Sequence, residues 1–417
     1  MRFLMICMQY PLGPGDSYMT SELADALVTE GHEVQVLLLD WHGAADDQPE
    51  ELTSPSGVRV LRCSPRRLDM LGRTIGDASK FLLSSRHLAS VARSRLNLRE
   101  FDVAMAWMPL TAIAPLVPLL SAAGIRHRLL FIWDFFPDHH REIGRIPGGL
   151  PYLVARYSEA RLLRHFSTIF CTLPGNADYL RRNFTLTDEQ RVRIAPIWCD
   201  ATPRPPVDRA AIRRRHDLPL DRPIAVFGGQ LVAGRGFEQI FAAAQNAAEE
   251  QSSLLFLFVG DGALAAQLRQ RSLFHSNIRW LPAISRDAYL ELLGACDVGM
   301  TVTVPGVTSF SIPSKTLDYL RTGIPIIAAV EAESDFIRLL EEYGVGIGIS
   351  FGEARDFRRE ADRLATDPAV KAGIGPATRH CLDEVFDVRH AVANVLDAVG
   401  AVREPPARGR RQSPPRR

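Results

Sequence analysis

Two widely separated stretches of this chain repeat one pattern: an apolar strand, a glycine-rich turn, a helix and a second apolar strand. The first runs from Arg2–Met8 through Pro11-Leu12-Gly13-Pro14-Gly15 and a helix over 17–30 to a strand over 32–39. The second runs from Ile224–Gly228 through a loop ending at Gly236 and a helix over 237–250 to a strand over 254–260. Parallel neighbouring strands need a crossover, and a helix is the usual one. The pattern therefore predicts an α/β protein of two Rossmann-like, doubly wound parallel-sheet domains facing across a cleft.

Further short apolar runs extend both sheets, with strands expected at 58–63, 103–107, 129–133, 169–172 and 192–195, then at 278–281, 298–302, 326–329 and 346–349. Residues 1–200 form the expected amino-terminal domain. The Pro-, Arg- and Asp-rich stretch 201–222 reads as a linker, 223–383 as the second domain, and 384–402 as a helix packing back toward the first. Residues 403–417 carry Arg, Pro and Gly with one acidic residue, and are predicted to be a disordered basic tail.

With 46% hydrophobic and 23% charged residues and a formal charge of +1, the chain has material for two cores and no global attraction to nucleic acid. Its six cysteines are scattered without a C-x-x-C pair, which indicates neither a disulfide framework nor a zinc site. Met1–Met8 is too short for a secretory signal and runs into a Pro/Gly turn, so a cytoplasmic protein is expected. Val103–Ile125 is uncharged and long enough to span a membrane, but Pro109, Pro115 and Pro118 divide it into a strand, a helix and a second strand.

Two such domains aim the carboxyl ends of both sheets at one crevice, where ligands are expected. Three segments there could carry chemistry. In the loop Gly228-Gly229-Gln230-Leu231-Val232-Ala233-Gly234-Arg235-Gly236, backbone N–H groups and the Arg235 guanidinium can hold a diphosphate. A plain βα turn with a solvated arginine fits the loop equally well. Gly260-Asp261-Gly262 permits close approach of a ligand, or is a tight turn. In Pro313-Ser314-Lys315-Thr316-Leu317-Asp318-Tyr319, Lys315 is one of three lysines against 46 arginines, so a compact point charge at a helix start is notable. Ser314 can donate to phosphate oxygens, and Asp318 can accept both hydroxyls of a ribose. The competing reading is a capped surface helix with solvated charges.

The order Gly-Gln-Leu-x-x-x-Arg-Gly, Val-Gly-Asp-Gly, Pro-Ser-Lys-x-x-Asp-Tyr-x-x-x-Gly-x-Pro resembles the donor half of glycosyltransferase family 4, the retaining group with the GT-B fold, in its Pro-Ser-Lys branch. In the first half, Pro11 to Gly15, Gly31-His32-Glu33-Val34 and Ile197-Trp198-Cys199-Asp200 are similar to that family as well. The resemblance implies a nucleoside-diphosphate-sugar donor held by Gly13, Gly15, Gly229, Gln230, Arg235, Gly260, Asp261, Ser314, Lys315 and Asp318. It implies retention without an enzymic nucleophile, no metal or other cofactor, and, for this branch, a role in bacterial surface polysaccharide. The chain departs from the family at Phe310, where the first of two glutamates commonly stands; Asp318 takes the second place, and Gln230 and Arg235 replace an arginine and a lysine.

For the acceptor, Trp133-Asp134-Phe135-Phe136-Pro137-Asp138-His139-His140 follows a first-domain strand, and Asp134 could orient the attacking hydroxyl of a glycan or lipid-linked acceptor. The same cluster could instead bind a metal, or leave His139 and His140 as surface residues. Arg235 and Lys315 would stabilise the departing diphosphate. Residues 58–99 hold ten basic and two acidic side chains, and 80–95 has the pattern of a basic amphipathic helix that could bring the cleft to anionic lipid. Two rivals stand beside transfer: a sugar-nucleotide 2-epimerase, and a non-catalytic partner subunit of the same fold. Nucleic-acid binding is not indicated, since no stacking aromatics interleave the basic residues.

Overall fold

The computed structural model describes residues 1–13, 16–41, 43, 48–66, 73–146, 148–232, 236–307, 312–331 and 334–400, with backbone alone for 73–80. Gly15, Arg235, Phe310 and the 403–417 tail, all singled out above, lie outside the described residues. The first sheet comprises β1 (Arg2–Cys7), β2 (Glu33–Leu39), β3 (Glu50–Thr53), β4 (Arg59–Cys63), β5 (Val103–Trp107), β6 (His127–Ile132), β7 (Thr168–Cys171) and β8 (Arg191–Ile194). Their order is β3-β4-β2-β1-β5-β6-β7-β8, with β3 alone antiparallel. The second comprises β9 (Ile224–Gly228), β10 (Leu255–Val259), β11 (Ile278–Leu281), β12 (Val298–Val302), β13 (Ile326–Ala329) and β14 (Gly346–Ile349), ordered β11-β10-β9-β12-β13-β14 and parallel throughout.

The near-continuous apolar runs at β1, β5, β9, β10 and β12 follow from burial on both sheet faces. Strand order reverses beside β1 in one sheet and beside β9 in the other, and these switch points open at the carboxyl ends of the strands. Val103–Ile125 is not a spanning helix: it divides into β5, a 3-10 turn at Leu110–Ile113 and the short helix Val117–Ala122. Among the described residues no helix is long and apolar enough to cross a membrane.

One apolar cluster runs from the first sheet to the second through Trp198, Ile212, Phe386 and Val395. The chain crosses between the sheets at Cys199, whose N–H donates to the Phe386 carbonyl at 2.8 Å while the Val388 N–H donates to the Cys199 carbonyl at 2.9 Å. The helix Val388–Ala398 then packs on the first-domain helix Met19–Thr29. The Trp198 indole donates to the Met19 carbonyl at 2.6 Å, tying the crossing strand to the same helix.

The stretch 80–95, expected as a basic amphipathic helix, lies within the helix Arg73–Arg95. In that helix Leu88, Ala89, Val91 and Ala92 are buried and join the core on one face of the first sheet, so most of the apolar side is used within the protein, while Leu82 is exposed. The basic residues Arg86, Arg93 and Arg95 remain outside.

Candidate active site

The first glycine loop leaves β9 at Gly228 and lies against the loop that leaves β10. The Gly229 N–H donates to the Val259 carbonyl at 3.0 Å and the Leu231 N–H to the Asp261 carbonyl at 2.9 Å. A Cβ at Gly260 would stand 2.1 Å from the Gly229 carbonyl oxygen, and one at Gly262 would stand 2.5 Å from that of Leu231. Both positions also have positive φ, so these glycines are required by loop-on-loop packing. Gly229 shares the positive φ, but a Cβ there would meet open space.

The open side of these loops is a cleft of about 930 Å³, lined by Gly229, Gln230, Gly260 and Asp261 on one wall and Ser314, Lys315 and Asp318 on another. Gln9 and Tyr18 enter it from the first domain. Gly13, expected there, sits instead in a turn closed by the Asp16 N–H donating to its carbonyl at 3.2 Å. The first-domain loop reaches the cleft through the side chains that flank this turn.

Lys315 opens the helix Lys315–Arg321, and its Nζ lies 4.6 Å from the centre of the Phe227 ring at the end of β9. That contact holds the ammonium at the switch point. Two residues on, Leu317 is buried, and Tyr319 fixes the helix against the sheet by donating to the Met300 carbonyl at 2.9 Å. Gly299 makes room for that ring, since a Cβ there would stand 2.4 Å from it. The Ser314 hydroxyl caps no helix N–H.

Asp318 does not stand as a free carboxylate awaiting a ribose. Its two oxygens accept from the Arg286 guanidinium at 2.7 and 2.5 Å, and Asp318 is only 7% exposed. The pairing arises because Arg286 opens the helix Arg286–Gly294, which lies beside Lys315–Arg321. Burial works against the charged guanidinium, but Asp318 more than offsets it and holds Arg286 above its ordinary pKa. Next to this pair, Glu22 of the first domain faces Arg321 of the second at 3.7 Å, with both side chains nearly buried. Burial raises the Glu22 pKa and Arg321 pulls it back. Arg286, Glu22 and Arg321 were not singled out in the sequence.

Asp134 is exposed just beyond β6, in an adjoining cavity of about 240 Å³ with Tyr18, Trp133, His139 and, from the second domain, Ser314 and Lys315. The His139 Nδ1 there is buried without a protein partner. Asp138 points elsewhere: it is buried and accepts from Tyr152 at 2.7 Å, Arg156 at 2.5 Å and Tyr179 at 2.9 Å. The Asp-x-x-x-Asp-His-His run is therefore split between a cavity and a structural knot, and among the described residues no His, Cys, Asp and Glu cluster forms a ligand set.

Residues 15–198 match the model of the family described as glycosyl transferase 4-like domain. Over 357 residues the chain is 25% identical to WcaI of Escherichia coli (strain K12), whose name assigns it to colanic acid biosynthesis as a glycosyl transferase, covering 78% of this chain and 82% of that protein. Among solved structures it is similar to a sucrose-phosphate synthase from Thermosynechococcus elongatus, with a TM-score of 0.70 at 16% identity, over 95% of this chain and 97% of the other. Anabaena Alr3699/HepE, in complex with UDP and glucose, gives a TM-score of 0.68 at 14% identity, over 96% and 100%. At these identities the structural likeness speaks for the fold, which is GT-B.

Proposed function

We propose that this chain, a GT-B protein whose residues 15–198 match a glycosyl transferase 4-like domain, is a family 4 glycosyltransferase that moves a sugar, with retention, from a nucleoside-diphosphate sugar to a hydroxyl of a glycan or lipid-linked acceptor. The carrying observation is that Ser314 and Lys315 line both the 930 Å³ cleft and the 240 Å³ cavity that holds Asp134. A diphosphate in the first would place its sugar at the mouth of the second, so the scissile bond would lie beside the ammonium.

In this reading Gly229, Gln230, Gly260 and Asp261 surround the nucleotide, and Ser314 and Lys315 meet the diphosphate. Asp318, already carrying Arg286, offers its remaining lone pairs to the ribose. The bond from the anomeric carbon to the β-phosphate oxygen breaks as one to the acceptor oxygen forms. Lys315 offsets the charge that develops on the leaving phosphate, where a preorganised cation is most effective. The acceptor proton passes to that phosphate, while Asp134 orients the hydroxyl. Lys315, with Arg235 from the first glycine loop, does the work a metal would otherwise do, so no metal or cofactor is required. The name of the relative WcaI, which assigns it to colanic acid biosynthesis, supports a surface-glycan acceptor.

A thermal-shift panel of UDP-, GDP-, dTDP- and ADP-sugars with EDTA present tests this reading, because a ligand that binds only the folded state raises its melting temperature. A shift with one base is expected. No shift with any of them would count against a donor site of this kind.

A further inference from the structure

The helix Leu150–Leu163 is apolar on two opposite sides. Glu159, Leu162 and Leu163 turn inward and are buried. On the other side Leu150, Leu153, Val154 and Tyr157 are 73, 57, 58 and 68% exposed. Their spacing of three, four and seven residues places all four on one face, a continuous stripe of the kind that a soluble surface rarely presents unpartnered. In the last turn the same face carries Arg161 and Arg164, and Arg145 precedes the helix; all three are exposed and none forms a described ion pair with an acid. The helix has one acidic residue, Glu159, and it is on the buried side.

The stripe is also held in place. Tyr152 and Arg156 of this helix both donate to Asp138, four residues beyond Asp134. A body that rested on the stripe would thus be in fixed relation to the cavity containing Asp134 and His139.

We propose that the exposed face of Leu150–Leu163 is a docking surface for an anionic lipid bilayer, with Leu150, Leu153, Val154 and Tyr157 entering the interface and Arg145, Arg161 and Arg164 meeting phosphate headgroups. Apolar area combined with positive charge and no exposed acid on that face is what such a surface requires. The inference is independent of which nucleotide or sugar the cleft accepts.

The test is flotation of the full chain with phosphatidylcholine vesicles and with phosphatidylcholine–phosphatidylglycerol vesicles. The wild type should float with the anionic vesicles, poorly with the neutral ones, and less as salt is raised. Leu150→Ser/Leu153→Ser/Tyr157→Ser should reduce binding at least ~10-fold by removing three inserting side chains, with an unchanged melting temperature as the folding control. Arg161→Glu/Arg164→Glu, which leaves the stripe intact, should abolish the preference for anionic lipid. Flotation that neither variant changes, or none by the wild type, overturns the proposal. So does a dimer in solution that the serine variant dissociates while vesicles bind neither form, because the stripe would then be covered by a second copy of the chain.

Discussion

Replacing Asp318 by asparagine isolates the pair it makes with Arg286. The side chains keep their shape, but the guanidinium loses the carboxylate that receives it at 2.7 and 2.5 Å. A fully buried pair broken on one side costs about 3–5 kcal/mol. Here the Arg286 side chain retains 29% exposure, so water recovers part of the loss, although its Nε is buried without a partner. A cost of about 1.5–3 kcal/mol follows, and at about 2–4 °C per kcal/mol for a domain of this size the melting temperature should fall by ~3–12 °C. Arg286→Met/Asp318→Leu, which removes both charges, should lie closer to the wild type than Asp318→Asn. Calorimetry of the three proteins provides the assay. An unchanged Asp318→Asn, or a double variant no closer to the wild type than Asp318→Asn, would refute the reasoning.

Gly228→Ala would place a Cβ 1.9 Å from the Tyr289 hydroxyl, which lines the donor cleft, so it should cost about 1–3 kcal/mol by overpacking and also weaken nucleotide binding, as read by denaturation and titration. Glu159 is buried, accepting from the Leu110 and Thr111 N–H groups at 2.9 and 2.7 Å, and burial, partly countered by those bonds, raises its carboxyl to about 7. The folded state therefore holds this proton more tightly than the unfolded chain: the contribution is full below about pH 4.5 and is lost as pH rises to about 7, on the order of 3 kcal/mol in all. Urea titrations across that window should show the loss in the wild type and a flatter profile in Glu159→Gln; equal slopes would contradict it. Asp134→Asn should leave donor affinity unchanged and reduce transfer to acceptor, and an equal loss of both would remove Asp134 from the acceptor side.

The strands of the second sheet were readable to the residue at β9 and from β11 to β14: β9, β12 and β13 are short apolar runs that burial on two faces demands, and the half-buried edge strands β11 and β14 are short runs bounded by turn residues. β3 escaped: Glu50–Thr53 is an edge strand with two glutamates and no apolar run, and it exists only through its pairing with β4. The donor segments were visible because glycine, serine and lysine at strand ends have local meaning. Arg286 and Arg321 have none, since an arginine in a helical turn reads as solvated until a partner 32 residues away, or a glutamate in another domain, is brought beside it. The surface available on the basic helix was hidden for a related reason. Amphipathic pattern identifies an apolar side, not what covers it; in Arg73–Arg95 the core covers most of it, whereas Leu150–Leu163 has apolar residues on both sides and so shows little contrast.

The central claim, that Lys315 holds a sugar nucleotide by its diphosphate between the two domains, is tested most directly by calorimetric titration of wild type and Lys315→Ala with the nucleoside diphosphate the panel selects and with its parent nucleoside. Loss of one charged hydrogen bond should weaken diphosphate binding by about 1–3 kcal/mol, roughly 5- to 150-fold, while leaving nucleoside affinity unchanged. Equal weakening of both ligands, or unaltered diphosphate affinity, would contradict the account.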